Sequence, residues 1–337
     1  MSKQISLVEK VAFLRDPETY GSNVSEVDDI ETHMNWVFLA GTSVYKLKKP
    51  VKLDFLDFST LELRRDDCRR EVEVNRALAG GVYHGTVPLV ADASDALQLG
   101  GDGAVVDWLV HMRRLPNDRM LDVCIQDGSV GAGDIRRAIA VLCRFYRSQG
   151  PTRISPDAYV DRFTRAADRN EKTLLDPRYR LSEESVLGVF EALRTYISRQ
   201  SDDLRRRVEA RRIVDAHGDL RPEHICLEPR PVIFDRIEFN DEFRILDTAD
   251  EISYLSMECD LLDAEEIGRL VMDAYTAEMD DHPPPSLTAF YRTHRACVRA
   301  VLAAKHLDDE DVDEAKWIGR ARSYLDLASS YLPDMMP

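Results

Sequence analysis

The chain has 337 residues, a length that predicts about two domains or lobes. Its 61 acidic and 45 basic residues leave a formal charge of −16, so a general nucleic-acid binder, which needs a basic face, is not expected. With 44% hydrophobic and 8% aromatic residues the chain can bury a sizeable core, which excludes wholesale disorder. No apolar run approaches ~20 residues, so no membrane span is expected. The start, MSKQISLVEKVAFLRD, is amphipathic and carries acids, unlike a signal peptide, and a cytoplasmic protein is the expectation. Cys68, Cys124, Cys143, Cys226, Cys259 and Cys297 lie far apart without a C-x-x-C pair and read as buried thiols. The eight histidines show no i, i+4 pairing, so zinc is not suggested.

Along the chain, NWVFLAG (35–41) and SVYKLKK (43–49) read as strands meeting at a Gly-Thr turn, a hairpin signal. A helix is expected over 61–79, with Ser59 as N-cap, Glu62 completing a capping box and Gly80-Gly81 as the stop. VPLV, ALQLG and AVVDWLVHMRRL are strand-like again. After Pro116, apolar positions at helical spacing dominate 135–146, 158–167, 185–197, 264–279, 287–304 and 314–331. Two strand-like pieces, IVDAHGDL and PVIFD, interrupt them. The expected architecture is α+β, with a small β-rich lobe over 1–112 and a larger helical lobe over 113–337.

The chemistry concentrates in IVDAHGDLRPEHICL and the following PVIFDRIEF. A short apolar strand delivers His217, Gly218 and Asp219 to an irregular loop, Pro222 disfavours a regular helix there, and a second apolar strand ends at Asp235. Two carboxylates at the ends of short strands suit a divalent cation held beside a base, because Mg²⁺ takes oxygen ligands and only one or two protein carboxylates.

HGDLRPEHI resembles the catalytic loop of eukaryotic-type kinases, in the H-G-D form of the aminoglycoside phosphotransferase and choline kinase group. VIFD is similar to the strand carrying that group's metal-binding Asp. The resemblance implies a two-lobed protein-kinase-like fold, with Asp219 taking the acceptor hydroxyl's proton and Asp235 holding the metal that bridges the phosphates of ATP. Arg221 would neutralise the transferring phosphoryl group. A strand lysine for the phosphates is implied at Lys46 in VYKL, with Lys48 at the same strand parity as the alternative. The paired helix glutamate is implied at Glu71, in CRREVEVNRAL. Lys49, Lys52 and Glu73 read as solvated. VVDWLVHMRRLPNDRML is similar to the last strand and hinge for adenine, with backbone groups from Arg113 to Leu115 facing the purine and Met112 and Leu115 as apolar walls. In FNDEFRILDTADEISYLSME, Asp250 would accept hydrogen bonds from the catalytic loop, with Asp247 as the competing choice and a helix N-cap as the plain alternative. The wording ETHMNWVFL, VYKLKKPV, LDFSTLE and HGDLRPEHICL is similar to a bacterial branch sometimes fused to a P-loop domain. No G-x-x-x-x-G-K-[ST] occurs, so the stand-alone form is expected.

Departures from the pattern matter. His224 stands where the family keeps a metal-binding Asn and would ligate the metal with Asp235; Mg²⁺ is the expected ion, with Mn²⁺ as the alternative because an imidazole is a poorer partner for Mg²⁺ than an amide oxygen. The stretch 28–36, where a phosphate-covering loop should lie, has no glycine, so Thr32, His33 and Asn35 would meet phosphate through side chains. No A-P-E segment follows Asp235, which argues for a small-molecule acceptor bound by the helices between 151 and 211. The expectation is ATP-dependent transfer of a phosphoryl group to a small molecule's hydroxyl. The rivals are a nucleotide-binding pseudokinase acting through partners and a protein kinase or nucleotidyl transferase on the same fold.

Overall fold

The structure is a computed structural model that describes residues 5–53, 56–308 and 312–335. These form two compact units, one within 5–119 and 232–243, the other within 120–231 and 244–335.

The first unit begins with α1 (Leu7–Arg15), whose N-cap Ser6 and Glu9 form a capping box. It continues through β1 (Val27–Glu31), β2 (Asn35–Ala40), β3 (Ser43–Lys48) and the two-residue strands β4 (Lys52–Leu53) and β5 (Leu56–Asp57). Then come α2 (Leu61–Ala79), β6 (Tyr83–Ala91), β7 (Leu97–Leu99) and β8 (Ala104–Arg113). Six strands make one antiparallel sheet in the order β1-β2-β3-β8-β6-β7. The expected hairpin is β2–β3, turning at Gly41, whose φ of +57° suits a residue without Cβ.

Strand alternation divides the core between the two faces of this sheet. Leu47 and Leu109 pack with Val11 and Leu14 of α1, while Val110 and Met112 pack with Cys68 and Val72 of α2. Lys46 and Lys48 flank Leu47 and therefore look towards α2. Thr60, rather than Ser59, caps α2: its hydroxyl accepts from Leu63 N at 3.2 Å, while the Ser59 hydroxyl turns back to Asp57 at 2.5 Å. Both hydroxyls could cap, but Asp57 removes Ser59 from the competition.

The second unit is mostly helical. Its elements are α3 (Leu121–Gln126), α4 (Ala132–Gln149), α5 (Pro156–Leu174), α6 (Glu183–Glu209), β9 (Ile213–Asp215) and β10 (Ile225–Cys226). After the first unit's β11 (Val232–Ile233) it resumes with β12 (Ile245–Asp247), α7 (Thr248–Leu261), α8 (Glu265–Met279), α9 (Pro285–Lys305), α10 (Glu314–Ser330) and α11 (Leu332–Met335). Helical periodicity misses α7 for a physical reason. Thr248 to Cys259 are all buried, so no apolar stripe distinguishes one face from another. Asp247 caps α7 and accepts from Ala249 N, while its carboxylate also holds Arg207 through 2.7 and 2.8 Å bonds. β9 and β12 pair antiparallel and launch the HGD loop. All six cysteines are buried, and no described helix is long and apolar enough to cross a membrane.

Candidate active site

The residues singled out in the sequence fall into two clusters, one in each unit. In the first unit, β3 presents Lys46 to α2 and to the segment after β11. Lys46 Nζ lies 2.9 Å from Glu71 Oε1 and 2.6 Å from Asp235 Oδ1. Burial opposes the Lys46 charge, but the Asp235 and Glu71 carboxylates outweigh it and raise its pKa well above the ordinary lysine value. Burial likewise works against the charge on Glu71, which its two lysines nevertheless hold below the usual carboxylate range.

Asp235 adopts φ +63°, the left-handed region that Asp tolerates better than most side chains. Its backbone is pinned on both sides. The Asp235 N–H donates to the Tyr83 hydroxyl at 3.1 Å, and the Arg236 N–H donates to Asn75 Oδ1 at 2.8 Å. Asn75 Nδ2 returns a bond to the Arg236 carbonyl at 3.1 Å and another to Glu71 O at 3.0 Å. Asn75 is fully buried, one helical turn beyond Glu71. Sequence reasoning missed it, although an Asn on the buried face of a helix is a poor helix former and signals a polar partner. Asn75→Ala removes the bonds to the buried N–H and C=O of Arg236, at about 1–3 kcal/mol each. The expected result is a loss of roughly 2–4 kcal/mol in urea denaturation, and a loss under 1 kcal/mol contradicts the assignment.

Lys48 has the parity of Lys46 but a different setting. Its Nζ is fully buried, 2.7 Å from Glu71 Oε2, 2.6 Å from Asp67 Oδ2 and 2.7 Å from Glu238 Oε1. Those three carboxylates lie within 4.8 Å of one another, the spacing of a cation site, and the cation among them is the lysine ammonium. Lys49 is not solvated as expected, because it pairs with Glu31 and lies over the Trp36 ring at 5.6 Å. Lys52 and Glu73 are exposed, as their surroundings in sequence suggest.

Burial, with the Glu71 and Asp67 carboxylates alongside, pushes Glu238 up to about 8 against the pull of Lys48. Its folded pKa therefore exceeds the ordinary 4.5, and the folded state retains a proton that the unfolded chain releases. The stability this contributes is full below about pH 4.5 and is lost as pH rises through about 8. Denaturation midpoints measured from pH 5 to 9 should fall more steeply in wild type than in Glu238→Gln. Parallel curves would contradict the assignment.

The other first-unit expectations also find places. Met112 is a buried core residue, and Leu115 packs partly buried against the same cluster. The Arg113 and Arg114 N–H groups donate to Val82 O at 2.9 Å and Thr42 O at 2.8 Å. The glycine-free stretch forms the β1–β2 hairpin, closed by Thr32, whose hydroxyl accepts from Asn35 N at 2.9 Å. His33 sits exposed at its tip.

In the second unit the HGD loop is held from α7. Glu251, not Asp250, accepts from the loop: His217 N donates to Oε2 at 3.0 Å and Gly218 N to Oε1 at 2.6 Å. Asp250, turned about 100° away on the helix, instead grips Arg295 at 2.6 and 2.7 Å. Gly218 has φ +94°, which explains the glycine of H-G-D. Asp219 Oδ1 accepts from the Tyr254 hydroxyl at 2.8 Å, and Oδ2 from Arg221 Nε at 3.1 Å. Burial pushes Asp219 upward, but Arg221 above all, helped by Arg299 and Tyr254, keeps it ionised far below the usual carboxylate range.

Arg221 is spread over three partners, with Nη1 on Glu223 and Nη2 donating to His224 Nε2 at 3.3 Å. His224 Nδ1 sits 2.8 Å from the Asp219 carbonyl, which can only accept. So Nδ1 carries the proton, and the Nε2 lone pair accepts from Arg221. In this arrangement His224 has no lone pair left for a metal. Asp235 fits one better, since its carboxylate is partly exposed and offers oxygen ligands.

A strand lysine ion-paired to a helix glutamate, and a loop aspartate held from a buried helix, are the organisation of a protein-kinase-like fold. Comparison with solved structures agrees. The chain is similar to a choline/ethanolamine kinase family protein from Mesorhizobium loti, with a TM-score of 0.53 and 16% identity over 97% of this chain and 98% of that one. It is also similar to choline kinase from Cryptosporidium parvum Iowa II, with a TM-score of 0.55 and 11% identity over 98% and 97%. A thermostable mutant of aminoglycoside phosphotransferase APH(4)-Ia, in ternary complex with AMP-PNP and hygromycin B, gives 0.53 at 15% identity over 98% and 99%. The fold is therefore the two-lobed one of these small-molecule kinases. No family model matches the sequence. Uncharacterized proteins of Mycobacterium bovis and Mycobacterium tuberculosis are 32% identical over 277 residues, 81% of this chain and 54% of theirs. The chain thus spans about half the length of the curated relatives it matches.

Proposed function

We propose that the chain is an ATP-dependent phosphotransferase that moves the γ-phosphoryl group to a hydroxyl of a small molecule. The observation that carries this reading is Lys46, an ammonium on a core strand held 2.9 Å from Glu71 and 2.6 Å from Asp235. Kinases need such a group for the α/β-phosphates, beside the carboxylate that takes the metal. The AMP-PNP complex of the similar phosphotransferase supports a nucleotide as the donor.

Each residue then has a task. Lys46 neutralises phosphate charge, and Glu71 fixes its direction. Asp235 would hold Mg²⁺, which supplies charge neutralisation at the β- and γ-oxygens. With the N–H groups of Arg113 and Arg114 engaged, Leu115 would meet the adenine. Asp219 orients the acceptor hydroxyl and takes its proton as the oxygen bonds to the γ-phosphorus. The bond from that phosphorus to the β,γ-bridging oxygen breaks, and ADP leaves with the electron pair. Arg221, kept in place by Asp219, Glu223 and His224, faces the charge on the transferring group. The absence of an A-P-E segment favours a small acceptor over a peptide.

The test is ADP release from ATP and Mg²⁺ across a panel of hydroxyl compounds. Acceptor-dependent release is expected. Nucleotide binding without release under any condition would instead support a nucleotide-binding partner protein, the reading that the glycine-free hairpin favours.

A further inference from the structure

The acceptor's own charge is readable from the surroundings of Asp219. One face of α7 carries Glu251, Tyr254 and Glu258, spaced three and four residues apart and thus aligned along the helix. Glu251 holds the catalytic loop, Tyr254 donates to Asp219, and Glu258 meets Arg299 of α9, its Oε1 lying 3.1 Å from Nε. Arg299 therefore meets the face of α7 that, one turn earlier, presents Tyr254 to Asp219.

Arg299 is anchored at one end only. Nε donates to the Tyr324 hydroxyl at 3.1 Å, and the guanidinium lies over the Tyr324 ring at 5.4 Å. Tyr324 also bonds both oxygens of Glu258 at 3.0 Å, so that acid is satisfied without the far end of the guanidinium. Neither Nη group of Arg299 has a hydrogen-bond partner among the described residues, and the side chain keeps 17% exposure. The other cation beside Asp219, Arg221, is occupied by three partners. The nearby acids Glu223 and Glu258 are each paired with an arginine. An anion would find in the Nη groups of Arg299 a preorganised fork of donors.

We infer that the acceptor carries an anionic group, a carboxylate or a phosphate, which the Nη groups of Arg299 bind beside the hydroxyl that Asp219 orients. This rests on the phosphotransferase reading and narrows its substrate class.

A matched three-carbon series tests it, comprising glycerate, glycerol 3-phosphate, glycerol and the amino alcohol serinol. Each is assayed by ADP release and, independently, by calorimetric binding. The anionic members should exceed glycerol and serinol at least about tenfold in kcat/KM, and the stronger of the two identifies the anion. Arg299→Gln should raise KM for the anionic members about 10- to 100-fold, the range of a charge-assisted hydrogen bond, with kcat changed far less. Arg299→Lys should restore part of the loss. Glu258→Gln separates binding from scaffolding, because it frees Arg299 and should hold or lower that KM, whereas a purely structural pair would suffer alike from either substitution. Equal response to all four compounds, a serinol preference, or parallel losses in Arg299→Gln and Glu258→Gln would overturn the inference. If no compound elicits ADP release, the phosphotransfer reading is what fails. Calorimetry still decides the anion site, through Arg299-dependent binding of glycerol 3-phosphate or its absence.

Discussion

Asp219→Asn is expected to lower acceptor-dependent turnover by about 10²–10⁴-fold, the usual contribution of a positioned proton acceptor, while nucleotide affinity stays within about twofold. The substitution keeps the side chain's size, and Tyr254 can still donate to the remaining oxygen. What disappears is the negative charge that orients the hydroxyl and accepts its proton, and with it the 3.1 Å partner of Arg221 Nε. Nucleotide affinity should survive because Lys46 and Asp235 belong to the other cluster. Because Asp219 is held far below the usual carboxylate range, wild-type activity should show no acid limb from this group between about pH 5 and 8. Single-turnover rates, nucleotide titrations and a pH profile check the three statements together. Full activity in the variant would remove Asp219 from the reaction.

The largest effect on stability is expected from Lys48→Met. Among the described residues this ammonium is the one cation ion-paired with Asp67 and Glu238, and it shares Glu71 with Lys46. Removing one partner from a buried ionic group leaves like charges facing each other in a poorly solvated space, with a penalty of about 3–5 kcal/mol. Part of that loss should return as the pH is lowered from about 9 to below about 8, where Glu238 takes up its proton, and in the double variant with Glu238→Gln. Lys46→Met should behave differently. Glu71 keeps Lys48, and Asp235 retains access to water, so stability should fall less while nucleotide affinity falls more. Urea denaturation beside nucleotide titration of the two variants separates the lysines. Interchanged effects would assign the phosphate role to Lys48.

That contrast also shows where the sequence stops. Strand parity placed Lys46 and Lys48 on one face but could not choose between them, because the choice depends on Asp235 and Glu238, almost two hundred residues away. The H-G-D loop, the β2–β3 hairpin, the buried thiols and most helices were legible, since each is a local pattern of residue types. Glu251 was not. Asp247, Asp250 and Glu251 are adjacent acids at one helix start, and only the helix's rotation decides which meets the loop, which meets Arg295 and which caps. Asn75 and Arg299 were invisible for a related reason, as their partners come from distant segments and no short motif marks them. His224 was read as a metal ligand by position, and the Asp219 carbonyl and Arg221 reveal that its two nitrogens are already engaged.

The most direct measurement is ³¹P NMR of the protein incubated with ATP, Mg²⁺ and the acceptor series. The account predicts a new phosphomonoester signal that grows in step with ADP and vanishes in Asp219→Asn. Transfer of a nucleotidyl group, or ATP that binds and remains intact with every acceptor, would contradict it.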